Sequence, residues 1–546
     1  MADARQLKAV FATAARNRRL LRVGVAFAAF HGAEVGVWVA LLVFAYDSGG
    51  ATAASCIALA QLLPAVVLAP WIGAWADRRR PGRVLLAGYL AQAATMALVA
   101  TIMAVDDGLA LVFLTAPLIN LAIASTRSAQ AALLPSVVTS PEELAAANAG
   151  QGWLESAGVI AAPLGVALLL GIGGPPLAVA GMATLAALGA VLVLGIDGPA
   201  PFQHAPQDEV PGSTRQAIAN IKAIVGDPAT RMLVGALGAQ YVLVGALDLL
   251  AVVLAIDVLG MGDSGAGYLT AAFGVGGLLA FAVTASLVGH PRLAPALISG
   301  GLLSGGALLV LAIDPSRVLA FLLIAASGLG RSVFDVTGRT LLQRTASPAA
   351  LAGAFGLLES LLNAGLAAGF VFVPILIAIG GPTAALAGTG AVVCAMLLMM
   401  LPHLRAVDAG AVVPLVELHL LRGIHLFAAL PAPTLETLAR GLERVRATAG
   451  TVVIRQGDRG DRYYAIAAGE LDVAVDGAHV RTCRPPDGVG ELALLHDTPR
   501  TATVTAHTDA DLYALEREPF VQALTGRVFT HHYADWPQAD GEPARA

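Results

Sequence analysis

The sequence predicts an all-α membrane bundle of twelve transmembrane helices, followed by a small α+β domain built on a β-roll. Three observations predict it. The chain is 57% hydrophobic and 13% charged, with a mean hydropathy of +0.74, whereas soluble domains are about a quarter charged. The charge is uneven: Met1–Leu401 holds 38 charged residues, and Pro402–Ala546 holds 33 in little more than a third of that length. Beyond Gly450 the long apolar runs give way to short alternating ones broken by turns.

Residues 1–20 are expected to form a cytosolic basic helix leading into the membrane. Arg5, Lys8, Arg16, Arg18, Arg19 and Arg22 face one acid, Asp3, and the apolar run that follows reaches Tyr46, too long for a signal-peptide core. The predicted spans are 21–46, 50–76, 84–105, 109–134, 144–170, 177–196, 232–256, 265–288, 293–313, 318–342, 351–379 and 383–401. With both ends cytosolic, the outer loops carry Arg317 and several aspartates. The inner segments carry Arg78–Arg80, Arg83, Arg215, Lys222, Arg231, Arg292, Arg339, Arg344 and Arg405. Shifting one span would invert this pattern. The bias toward Arg, Ala and Gly over Lys suggests a GC-rich bacterial genome, hence a multi-pass protein of the bacterial inner membrane. A net charge of −5 without a basic stripe gives no reason to expect nucleic acid. Cys56, Cys394 and Cys483 have no metal or redox spacing.

The longest inner loop, Asp197–Ala229, opens with four prolines, continues as a short amphipathic helix over Arg215–Val225, and divides the bundle into 21–196 and 230–401. The halves echo one another. Arg127-Ser128 precedes Leu154-Glu155-Ser156 by the same 28 residues, Arg to Glu, that separate Arg331-Ser332 from Leu358-Glu359-Ser360, the second set displaced by 204. A parallel two-half repeat would superpose them.

Between the second and third spans stands Gly73-Ala-Trp-Ala-Asp77-Arg78-Arg79-Arg80-Pro81-Gly82-Arg83. It resembles the signature G-x-x-x-D-R-x-G-R of the major facilitator superfamily, with one extra residue before the final Gly-Arg. Ala132-Leu-Leu-Pro135, Leu144–Asn148, Gly328-Leu-Gly and Thr340–Arg344 are similar to that superfamily's bacterial drug and siderophore exporters, and the resemblance covers residues 15–401. It implies the 6+6 fold and makes Gly73, Asp77, Arg78, Gly82 and Arg83 a gating motif. In it Asp77 caps a helix of the opposite half and the arginines hold the loop at the membrane surface. Gly158–Gly165 matches fragments of the family's antiporter motif, which close Gly/Pro packing explains equally well.

Ionisable residues within spans are costly and mark function. They are His31 and Glu34 in the first span, Arg127 in the fourth, Glu155 in the fifth and Asp248 in the seventh. Arg331 and Asp335 follow in the tenth, and Glu359 with Asn363 in the eleventh. Spans one and seven line the cavity in the resembled family, so Glu34 and Asp248 are expected to carry protons. Arg127 with Glu155 and Arg331 with Glu359 are expected to serve transport or to form structural pairs.

After a linker, Pro402–Arg422, a soluble domain is expected over 423–530. It has a helix over Leu435–Val445, strands over 451–455, 463–467, 471–475, 479–483, 501–506 and 511–515, and a polar tail over 531–546. Within it Gly490-Glu491-Leu492-Ala493 precedes Pro499-Arg500-Thr501-Ala502. A short helix starting near Glu491 offers free N–H groups to an anion, and Arg500 can grip two of its oxygens. The spacing resembles the phosphate-binding cassette of cyclic-nucleotide-binding domains. The resemblance implies that Arg500 holds the cyclic phosphate, Glu491 the ribose 2′-hydroxyl, and Leu492 and Ala493 donate backbone amides. Two features depart from the family: Val489 replaces an aromatic residue, and the lid is short, leaving Tyr533 or Trp536 to stack on the base and His531 and His532 as tail residues. The expected nucleotide is cAMP, with cGMP the alternative because Thr501 follows the arginine.

The expected whole is a cyclic-nucleotide-regulated, proton-coupled exporter of a small amphipathic compound. Its partners are the lipid bilayer, cyclic nucleotide, protons and the substrate, with no metal and no covalent cofactor. The alternative is a nucleotide-sensing receptor on a non-transporting scaffold. An enzyme is disfavoured because no nucleophile with its base, metal set or P-loop stands in the sequence. A gated channel is disfavoured for want of a selectivity filter or an Arg-rich voltage helix. The short linker is expected to hang the domain beneath the gate carrying Asp77, Arg78 and the 197–229 loop.

Overall fold

Three pairs of adjacent glycines interrupt the longest apolar helices of this chain. At Gly49-Gly50, Gly173-Gly174 and Gly380-Gly381 the second glycine takes a φ of 66°, 66° and 75°, a left-handed conformation that a Cβ disfavours. The computed structural model describes residues 17–525 except 78, 106–107, 139–140, 198–226, 288–289, 291, 346–347, 410–413, 428–429, 431 and 497.

The membrane part comprises α1 (Arg18–Asp77), α2 (Pro81–Val105), α3 (Leu109–Val137), α4 (Pro141–Val193) and α5 (Pro228–Val253), which ends in a π-helical turn, Leu254–Val258. It continues with α6 (Asp263–Leu287), α7 (Ala294–Ile313), α8 (Arg317–Thr345) and α9 (Pro348–Ala409). Among the described residues, nine helices are long and apolar enough to cross a membrane, where the sequence predicts twelve spans. The glycine pairs break α1, α4 and α9 at the turns expected after the first, fifth and eleventh spans.

Local chemistry starts α5 cleanly. Asp227 caps it, accepting from the backbone N–H groups of Ala229 and Thr230 at 3.2 and 3.1 Å, with Pro228 at the first helical position. Small residues set the packing, as expected where apolar burial alone cannot drive helices together. A Cβ on Gly245 would overlap the Leu366 carbonyl and one on Gly365 the Gly238 carbonyl, fastening α5 to α9. Gly276 against Ala325 and Gly328 against Phe273 do the same for α6 and α8.

The chain divides into two compact units, Met1–Arg440 and Gly441–Ala546. Two short helices, α10 (Leu415–Gly423) and α11 (Ala432–Arg440), go with the first. The sequence reading places both differently. Its linker over Pro402–Arg422 is largely helical, since α9 runs through Pro402 to Ala409 and α10 follows. Its helix over Leu435–Val445 stops at Arg440, because from Glu443 to Ala447 charged residues alternate with Val445 and Ala447, and the chain runs as a strand.

The second unit is a roll of two four-stranded sheets. Strands β1 (Glu443–Ala447), β8 (Ala510–Glu516), β3 (Arg462–Ala468) and β6 (Gly488–Val489) form one, in that order. Strands β2 (Val452–Ile454), β7 (Thr503–Ala506), β4 (Leu471–Val475) and β5 (Ala478–Cys483) form the other. Ile454, Ile466, Leu471, Cys483, Val489, Val504 and Leu512 fill the core. Helix α12 (Glu491–His496) lies between β6 and β7, and α13 (Arg517–Thr525) follows β8. The strand expected from Thr501 begins at Thr503, since Arg500 is held elsewhere.

Candidate functional site

Arg500 is clipped into the roll from both ends. Its backbone N–H donates to the Asp458 carbonyl at 2.7 Å, and its own carbonyl accepts from Gly457 at 2.9 Å. The guanidinium, only 5% exposed, donates through Nη1 to the Gly490 carbonyl at 3.0 Å. Through Nη2 it donates to the Arg462 carbonyl at 2.6 Å and to Asp461 Oδ1 at 3.4 Å. Burial pushes its pKa below the usual arginine range, while the Asp461 carboxylate works the other way. These bonds leave other guanidinium N–H donors for an anion.

Gly490 is required twice over. Its φ is +100°, and a Cβ there would lie 2.5 Å from Arg500 Nη1. Glu491, half-buried, opens α12, and Leu492 is exposed. Ala493 is buried, so close to Gly460 that a Cβ on that glycine would lie 2.7 Å from its own. Beneath them Tyr463 stacks on Phe520 at 5.0 Å, its phenol pushed above the usual range by burial and then by the charge of Glu491. Thr501 is exposed and Ala502 half-buried. Tyr533, Trp536, His531 and His532 lie outside the described residues.

The structure brings some intramembrane charges together and re-pairs others. Glu34 is ion-paired with Arg127, and His31 Nδ1 lies 3.8 Å from it. The expected Arg127–Glu155 pair is absent among the described contacts: Arg127 reaches α1, and Glu155 is exposed on α4. Gly158 makes room for His31, since a Cβ there would lie 2.6 Å from its ring. Asp248 accepts a hydrogen bond from the Trp38 indole at 3.0 Å, joining α5 to α1, and Trp38 stands edge-on to Phe370 at 5.7 Å. The expected Arg331–Glu359 pair is also replaced. Arg331 donates to the Tyr241 hydroxyl at 2.9 Å and lies over its ring, while Glu359 accepts from Arg339 at 3.2 Å, beside Asp335 at 3.1 Å. An arginine on the same helix, two turns on, reaches Glu359 where Arg331 does not.

In the 73–83 segment, Gly73 and Asp77 end α1. The Asp77 side chain and Arg78 lie outside the described residues. Gly82 packs where a Cβ would overlap the Ile196 carbonyl, so the second glycine of the motif permits α2 to meet the end of α4. Arg83 stands 3.9 Å from Asp197, both exposed, and Arg79 lies over Trp75 at 4.4 Å.

Sequence reasoning missed Asp461, Trp38 and Tyr241. Asp461 stands in a Gly460-Asp461 turn just before β3, where the sequence gives no sign of its partner. A tryptophan with a buried donor in the middle of a span was the signal for Trp38.

The chain matches the Major Facilitator Superfamily over residues 23–312 and the cyclic nucleotide-binding domain over residues 444–526. Over 116 residues it is 34% identical to a cGMP-dependent protein kinase of Eimeria tenella, covering 21% of this chain and 12% of the kinase. Over 109 residues it is 37% identical to a cAMP-dependent protein kinase regulatory subunit of Candida albicans, covering 20% and 24%. Among solved structures it is similar to the regulatory domain of Toxoplasma gondii PKA with cAMP, at 34% identity and a TM-score of 0.20, covering 21% of this chain and 46% of that one. The chain thus spans a quarter or less of the curated relatives' length, and the likeness is confined to the roll. With the superfamily match covering more than half of its length, the chain belongs to the Major Facilitator Superfamily and carries a cyclic nucleotide-binding domain C-terminal to its transporter helices.

Proposed function

We propose that this protein is a secondary active transporter whose rate is set by a cyclic nucleotide bound in the roll. The observation that carries the reading is Arg500, held by three backbone and side-chain acceptors beside Gly490 and Glu491, with guanidinium donors to spare. The nucleotide is cAMP, with cGMP second: the Candida relative is a cAMP-dependent subunit and the Eimeria relative a cGMP-dependent kinase. Glu491 takes the ribose hydroxyl, Leu492 and Ala493 supply amides, and Thr501 and Ala502 complete the phosphate side.

Twelve spans, 6+6, result if α1, α4 and α9 each turn at their glycine pair, with both termini cytosolic in a bacterial inner membrane. Protons drive export of a small amphipathic compound. Asp248 is the better proton carrier of the two carboxylates, because it hydrogen-bonds the neutral Trp38 indole and feels Arg331 only at a distance, whereas Glu34 is ion-paired with Arg127. Glu359 and Arg331 support the second half, and the 73–83 segment gates it.

Reconstituted full-length protein tests this reading. An imposed pH gradient should drive ethidium across proteoliposomes, and added cAMP should change the initial rate severalfold. Gradient-independent dye movement would remove proton coupling; a rate indifferent to cAMP and cGMP would remove regulation.

A further inference from the structure

One carboxylate in this chain is buried where no transport or nucleotide chemistry needs it. Glu436 stands on α11, 3% exposed, between buried Leu435 and the buried pair Leu438 and Ala439. It meets Arg344 at the end of α8, whose side chain is 1% exposed. The contact is two-pronged. Nε of Arg344 lies 3.2 Å from both carboxylate oxygens, and Nη2 bonds Oε1. The remaining fork of Arg344 donates to the His290 carbonyl at 3.0 Å, between α6 and α7, and Arg440 donates to the Gln343 carbonyl at 2.6 Å. Glu436 also lines a small cavity with Leu287, Leu293, Thr337 and Thr340. Helix α11 is thus seated on the ends of α6, α7 and α8.

We infer that the Arg344–Glu436 pair is a latch through which the state of the roll is transmitted to the second half of the transporter, an inference that rests on reading the roll as a nucleotide sensor. The connection is short: only Gly441 and Leu442 separate α11 from β1. A shift of β1 on nucleotide binding must therefore be absorbed by two residues or passed to α11. The partner is α8, which also carries Arg331, Asp335 and Arg339. The sequence expectation is coupling at the gate with Asp77 and the 197–229 loop; the latch would instead run it through α8, which α11 meets. By linkage, whatever nucleotide does to α8, a change at α8 does to nucleotide affinity by the same factor, about 5- to 150-fold for couplings of ordinary size.

Hydrogen exchange on the full chain in nanodiscs, with and without cAMP, tests this. In wild type cAMP should change exchange in peptides covering 334–345 at least threefold. Glu436→Ala should still bind cAMP, its affinity shifted by no more than about 150-fold, while that change falls below 1.5-fold. The double variant Arg344→Met/Glu436→Leu, which replaces the pair by apolar packing, should restore seating and most of the response. An equal response in Glu436→Ala, or none in wild type that binds cAMP, overturns the latch while leaving the sensor reading intact. Absence of binding by both cAMP and cGMP in wild type overturns the sensor reading and the latch with it. Should Glu436→Ala not fold, failure of the double variant to respond overturns the latch by itself.

Discussion

Arg500 is expected to hold the roll together as well as its ligand, and Arg500→Ala separates the two roles. The substitution deletes three hydrogen bonds from a buried cation, to Gly490, Arg462 and Asp461. Bonds to charged groups contribute about 1.5–3 kcal/mol each. The full sum overstates the loss, because Asp461 is 63% exposed and its bond, at 3.4 Å, is long and screened. The two carbonyls dominate, and some rehydration brings the expected cost to about 2–3 kcal/mol. In a domain of this size each kcal/mol lowers Tm by about 4–8 °C, so the fall should be roughly 10–20 °C. Thermal unfolding of a fragment spanning 411–546, without nucleotide, measures it. Arg500→Lys, which keeps the charge but loses the fork, should fall between the two. A Tm for Arg500→Ala within about 2 °C of wild type, with nucleotide binding lost, would show that the arginine serves the ligand alone.

Three further outcomes follow from the geometry. Gly490→Ala should weaken nucleotide binding at least tenfold, because its Cβ would crowd Arg500 Nη1 and a φ of +100° strains alanine; calorimetry at equal folded fraction measures it. The roll should lose stability in acid. The bonds of Asp472 to Thr482 and then His507, and those of Asp511 to Arg444, hold both carboxyls below the usual carboxylate range. Depressed carboxyls contribute stability that is present above the unfolded value, about 3.9 for aspartate, and lost as pH falls through the lower folded value. Asp472→Asn should flatten that limb of a pH–Tm curve. In the membrane, Asp248→Asn should abolish the pH dependence of dye transport, whereas Glu34→Gln should lower its rate mainly by leaving Arg127 unpaired; matched pH profiles for both variants would contradict the distinction.

The two-part architecture was legible because the bilayer and the roll impose different periods on the sequence, and because the signatures at 73–83 and 490–502 are contiguous. Pairing within the membrane was not. Arg127 and Glu155 look like partners from their repeat spacing, yet Arg127 meets Glu34, ninety-three positions away on α1. Repeat symmetry relates positions to each other's counterparts and says nothing about which facing helix supplies the opposite charge. Asp461 escaped notice because its role comes from strand pairing that brings β3 beside the cassette. The α11 seat escaped for a similar reason: Glu436 sits in a short amphipathic helix, and its partner is ninety-two residues earlier.

The central claim is that nucleotide held by Arg500 governs transport. Initial rates of pH-driven ethidium movement should be measured in proteoliposomes of wild type and Arg500→Lys, at a temperature below both unfolding transitions, across a cAMP titration and a parallel cGMP titration. Wild type should change rate severalfold with a midpoint equal to its nucleotide Kd, and Arg500→Lys should remain at the nucleotide-free rate. Identical titrations for the two proteins, or a wild-type rate that neither nucleotide moves, would contradict it.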